Sequence, residues 1–82
     1  MKHARDDYNR IQDPAGKIPD DEPVFLLRGQ DRAAPGAVRA YAENLEQMGG
    51  DPVLVRQSRE QADAMEQWQR EVRCKVADRA KD

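Results

Sequence analysis

Side chains that carry covalent chemistry are nearly missing from this 82-residue sequence, which has one Cys (Cys74), one His (His3), one Ser (Ser58) and no Thr. A structural zinc site takes about four Cys or His ligands, so one chain cannot build it. An intrachain disulfide is excluded, and a lone thiol without a framework fits a reducing compartment. A nucleophile–base pair would have to bring His3, near the terminus, against Ser58 or Cys74. No Gly-rich phosphate loop, metalloprotease helix motif or calcium loop is present. These shortages predict a protein that is not an enzyme and uses neither metal nor cofactor.

Apolar side chains are also scarce: Leu, Ile, Val and Phe make up 13 of the 82 residues. The longest apolar run, Val24 to Leu27, is far short of the ~20 residues that cross a bilayer. The stretch Met1-Lys2-His3-Ala4-Arg5-Asp6-Asp7 has no apolar core of a secretory signal. A cytoplasmic location without membrane attachment is therefore expected. Charge is plentiful but balanced: 14 basic against 16 acidic side chains leave −2. Nucleic-acid binding by bulk positive charge is excluded. The basic residues Arg70, Arg73, Lys75, Arg79 and Lys81 are diluted by Glu71, Asp78 and Asp82, which reads as a solvated helix face. So polar a chain buries a thin core, which a partner subunit or a ligand would complete.

The pattern predicts a single small, mainly α domain over 1–82. Residues 1–33 form an extended arm punctuated by Pro14, Pro19 and Pro23. Asp13-Pro14-Ala15-Gly16 has the composition of a tight turn, and Asp20-Asp21-Glu22 between prolines reads as a solvated one. Tyr8, Ile11 and Ile18 are apolar anchors on this arm. Val24-Phe25-Leu26-Leu27 is either a short buried strand or a single apolar turn; as a strand it needs a partner, either the Tyr8–Ile18 arm or a second subunit.

A helix is predicted over 34–49. Pro35 suits its first turn, Val38, Tyr41, Ala42, Leu45 and Met48 recur at helical spacing, and Gly49-Gly50 ends it. A second, over 52–80, starts at the cap Asp51 with Pro52 in its first turn. Its apolar face runs through Leu54 or Val55, Ala62, Met65, Trp68 or Gln69, Val72 and Val76. Helical to the end, it would span ~45 Å at ~1.5 Å per residue, about twice its partner. The uncovered half would fray, meet the arm, or pack against another subunit, and a homodimer or higher oligomer is the expectation.

The densest polar cluster is Arg28-Gly29-Gln30-Asp31-Arg32. An arginine fork suits phosphate or carboxylate, Gly29 admits close approach to the backbone, and Gln30 and Asp31 can read donor and acceptor edges. Arg39, one turn into the helix, offers a second guanidinium, and Tyr8 and Arg10 on the arm could lie over the same place. The candidate ligand site is thus Tyr8, Arg10, Arg28, Gln30, Asp31 and Arg39, suited to a small anion such as a nucleotide. The competing reading has Asp31 as a helix cap, Arg28 and Asp31 as a surface ion pair, and Arg32 and Arg39 solvated.

Tyr8-Asn9-Arg10-Ile11-Gln12-Asp13-Pro14, Lys17-Ile18-Pro19, the stretch Asp21 to Asp31, Ala34-Pro35, Val38 to Ala42 and Ala62 to Glu66 together resemble short phage- and prophage-encoded proteins of no settled function. The resemblance covers roughly residues 5–68 and brings no catalytic motif. It implies a phage setting, in which small non-enzymatic proteins counter host defence and one class sequesters nucleotide immune signals as oligomeric sponges. The resulting expectation is a non-enzymatic, homo-oligomeric, anti-defence binder of an anionic small molecule. The alternatives are a module that docks on and inhibits a host protein, and a minor structural or assembly protein.

Overall fold

The computed structural model describes residues 2–3 and 13–79 and divides the chain into two units. The expected positions of Tyr8, Arg10 and Ile11 lie outside the described residues. The smaller unit takes in Met1–Leu26 and Asp78–Asp82. Its strands β1 (Lys2–His3) and β2 (Pro23–Val24) pair in parallel, Lys2 opposite Pro23 and His3 opposite Val24. The apolar run Val24–Leu27 is therefore strand only at its first residue, where Val24 pairs with His3; of the expected Tyr8–Ile18 arm, residues 8–12 lie outside the described residues. Phe25 is 70% exposed, so the most hydrophobic stretch is not a buried strand. The expected turn at Asp13 is present: the Gly16 N–H donates to the Asp13 carbonyl at 2.9 Å, with Gly16 at φ +65.

The larger unit, Leu27–Ala77, is a helical hairpin. Helix α1 (Ala34–Gln47) carries Pro35 in its first turn, and Asp31 organises its start by accepting from the Ala33 and Ala34 N–H groups, each at 2.9 Å. Its end is a Schellman motif. Gly50 N–H donates to the Leu45 carbonyl and Gly49 N–H to the Glu46 carbonyl, while Gly49 takes φ +73. Leu45 lies so close over Gly50 that any side chain there would collide with it.

Helix α2 (Pro52–Glu71) begins where expected, the Asp51 carboxylate accepting from the Val53 N–H at 2.9 Å. It ends at Glu71, not near residue 80. Val72, Cys74 and Val76 alternate at period two, while Val72 and Val76 alone fit a helical stripe, and the backbone here finds partners in the loop before α1. Lys75 N–H donates to the Gln30 carbonyl and Arg32 N–H to the Lys75 carbonyl, both at 2.9 Å. The surplus length expected to need another subunit is thus partly absorbed by a strap folded back on the hairpin.

The seam between the helices is built of small side chains: Ala34, Ala42, Val55 and Ala62 are buried, with Ser58 beside them. The Ser58 hydroxyl donates to the Leu54 carbonyl at 2.8 Å, so its burial leaves no unmet donor. Among the described residues, no large side chain is completely buried. Tyr41 and Met48, placed on the apolar stripe by spacing, are exposed. On α2 the inward stripe is Val55, Ser58, Ala62, Met65 and Gln69, and Trp68 sits on its flank at 42% exposure.

Two arginine clamps cross the seam. Arg39 of α1 reaches Glu66 and Asp63 of α2, the latter at 2.8 Å. Arg59 of α2 reaches Glu43 and Glu46 of α1 at 3.4 and 3.2 Å. The hydrogen bond and charge of Arg59 hold Glu46 below its ordinary value of 4.5, and those of Arg39 do the same for Glu66. A carboxylate lowered in the folded state adds stability above its unfolded pKa, about 4.3, and loses it as pH falls through the folded value. The unfolding midpoint should therefore be flat above about pH 5 and fall in the acid limb below it. The Glu46→Gln/Glu66→Gln double variant should show a shallower limb in pH-dependent thermal melts, and an unchanged limb would contradict the assignment.

Candidate functional site

A cleft of about 410 Å³ opens on the outer side of the hairpin. One wall is the loop Arg28-Gly29-Gln30; the other is a face of α2 formed by Gln61, Ala64, Met65 and Trp68. The loop is a turn closed by the Asp31 N–H on the Arg28 carbonyl at 3.0 Å. The α2 wall follows from helical spacing, since positions 61, 64, 65 and 68 share one face.

The walls differ in chemistry. The Arg28 guanidinium is exposed and makes no ion pair or side-chain hydrogen bond among the described residues. It presents a planar fork of donors to solvent. Trp68 offers a half-exposed indole with Met65 beside it, a flat apolar surface with one N–H. Gln30 and Gln61 each bring a carboxamide with both donor and acceptor. Such a cleft can hold a molecule with an anionic group at one end and a flat ring at the other. Its volume lies in the usual range for small-molecule sites. None of the lining side chains is a nucleophile or a titratable base.

Compared with family models, curated proteins and solved structures, the chain matches none. Its site is read from its own geometry.

Of the residues singled out from sequence, Arg28 and Gln30 come together in this cleft. Asp31 does not line it, because its carboxylate is spent on the Ala33 N–H and its carbonyl on α1 and Gln69. Arg39 is also elsewhere: it borders a second hollow of about 460 Å³ with Arg32 and Arg70, and its own fork is occupied by Asp63 and Glu66. Hydrogen bonds that Arg39 donates to these carboxylates, Glu66 first, hold it further toward its charged form. Sequence reasoning left out Gln61 and favoured a core role for Met65 and for Trp68 over a stacking one, so none of the three stands in the candidate site expected from sequence. The available signal was the choice left open between Trp68 and Gln69 for the inward stripe: once Gln69 points in, Trp68 must point toward the Arg28 loop. Among the described residues no cluster of His, Cys, Asp and Glu could hold a metal ion, and no helix is long and apolar enough to cross a membrane.

Proposed function

We propose that this chain is a non-enzymatic binding protein whose Arg28–Trp68 cleft holds a small anionic molecule bearing a flat ring, with a nucleotide as the ligand class. The observation that carries the reading is the juxtaposition of an arginine fork, without an ion pair among the described residues, and a half-exposed indole on facing walls of one cleft. Arg28 takes the phosphate, Trp68 stacks on the base, and Gln30 and Gln61 read its edges. Asp31 and Arg39 leave the ligand set; Asp31 shapes the loop and Arg39 joins the helices. The phage resemblance supports sequestration of a nucleotide immune signal as the biological task. Calorimetric titration against cyclic dinucleotides and cyclic ADP-ribose isomers tests the reading: saturable heat with at least one is expected, and no heat with any removes it.

Self-association belongs to the same proposal. Trp68, Val72 and Val76 remain exposed near the end of α2, and the small-residue seam leaves little core for one subunit. Light scattering on a sizing column should give a mass of at least twice 9.4 kDa at micromolar protein; a monomer mass would contradict it. Docking on a host protein through the Val72–Val76 surface is the second reading, and it predicts indifference to Arg28→Ala.

A further inference from the structure

We propose that Gln69 is the positioning residue of the cleft, a clamp that fixes the loop carrying Arg28 and Gln30 against the helix carrying Met65 and Trp68. Its structural part stands on hydrogen bonds alone; only its ligand readout rests on the binding function proposed above. A glutamine at an inward helix position would ordinarily cost burial of an amide. Here both donors are used: Nε2 donates to the Gly29 carbonyl at 2.9 Å and to the Asp31 carbonyl at 2.8 Å. That geometry decides which end of the carboxamide faces the loop, since an oxygen there would oppose two carbonyl oxygens. The remaining Oε1 accepts from the Cys74 thiol at 3.5 Å.

The two carbonyls flank Gln30, whose own carbonyl accepts from Lys75 N–H. Three consecutive carbonyls, 29 to 31, are thus held by the end of α2 and the strap that follows it. Among the described residues the Gly29 carbonyl has no backbone partner. The loop has no helix or long strand of its own to fix it, so these bonds set where Arg28 and Gln30 stand relative to Trp68. A glutamine is suited to the task because it spans from the helix to two carbonyls and carries no charge to desolvate.

The test uses the full chain with Gln69→Met, which keeps length and helix propensity but removes both donors, and Gln69→Glu, which keeps shape but sets a carboxylate against the carbonyls. Amide hydrogen exchange is read by NMR at Arg32 and Lys75, the strap, and at Ala42 and Ala62, the seam. Exchange about tenfold faster at the strap with the seam unchanged is expected for Gln69→Met, and faster still for Gln69→Glu. Lys75→Pro, which removes the strap donor without touching Gln69, should loosen the Arg32 amide similarly. Unchanged strap exchange in Gln69→Met overturns the proposal, as does equal acceleration at strap and seam, which would make Gln69 a general stability residue. With a cyclic ADP-ribose isomer or cyclic dinucleotide that the wild type binds, Gln69→Met should weaken affinity at least about tenfold with Arg28 intact. If the wild type binds none of them, the ligand reading fails while the exchange data still decide the clamp.

Discussion

Ala62→Leu is expected to abolish the cooperative unfolding transition of the helical hairpin at physiological temperature. Ala62 is 0% exposed, on a seam whose other buried members include Ala34, Ala42, Val55 and Ser58. Small side chains let the two helices approach closely, and extra methylenes in such a contact force side chains off their rotamers or push the backbones apart. Overpacking of this kind costs about 1–3 kcal/mol. A unit of about fifty residues has a few kcal/mol of stability in total, and this one has no completely buried large side chain in reserve among the described residues. The arginine clamps cannot offset the loss, because they are exposed, salt-screened pairs. Ala40→Leu adds the same bulk on the exposed face of α1 and should leave the transition in place. Circular-dichroism melts of the two variants check this; equal melting would mean that the seam is not tightly packed.

The second large effect concerns ligand affinity. Arg28→Ala removes a charged bidentate contact, a loss of about 1.5–3 kcal/mol, or roughly 10–150-fold in Kd. Trp68→Ala removes a stacking surface worth about 1–3 kcal/mol per base. The two are separable by salt. In the proposed complex Arg28 meets the anion, so Arg28→Ala should flatten the salt dependence of binding, whereas Trp68→Ala should lower affinity at every salt concentration alike. Arg28→Lys keeps the charge but loses the planar fork and should fall between wild type and Arg28→Ala. Titrations at two salt concentrations report all of this. Parallel salt slopes for wild type and Arg28→Ala would show that Arg28 does not meet the anion.

The parts of this fold that were legible in the sequence are those written locally. Pro35 and Asp51-Pro52 mark the helix starts, and Gly49-Gly50 marks a helix end whose left-handed residue is the expected one. The end of α2 was not legible, because no Gly or Pro stops it; the helix yields at Val72 to a strap whose hydrogen-bond partners lie some forty positions earlier, at Gln30 and Arg32. Helical periodicity likewise could not tell Trp68 from Gln69. An apolar residue is the ordinary choice for an inward position, and Gln69 takes it only because two loop carbonyls require donors. Of the site, Arg28 and Gln30 were legible as a polar loop beside an apolar run. Arg39 was misplaced because its acidic partners, Asp63 and Glu66, meet it only through tertiary packing. Asp31 is not the helix cap of the alternative reading: the cap position of α1 is Ala33, without a side-chain cap hydrogen bond, and the Asp31 carboxylate accepts from the Ala33 N–H just ahead of the helix.

Native mass spectrometry of the purified protein mixed with the cyclic nucleotide panel most directly tests whether this chain holds a ligand without converting it. The account predicts one bound molecule per cleft for at least one probe, released with its mass unchanged, and no such adduct with Arg28→Ala. Bare protein with every probe, or a released molecule of altered mass, would contradict it.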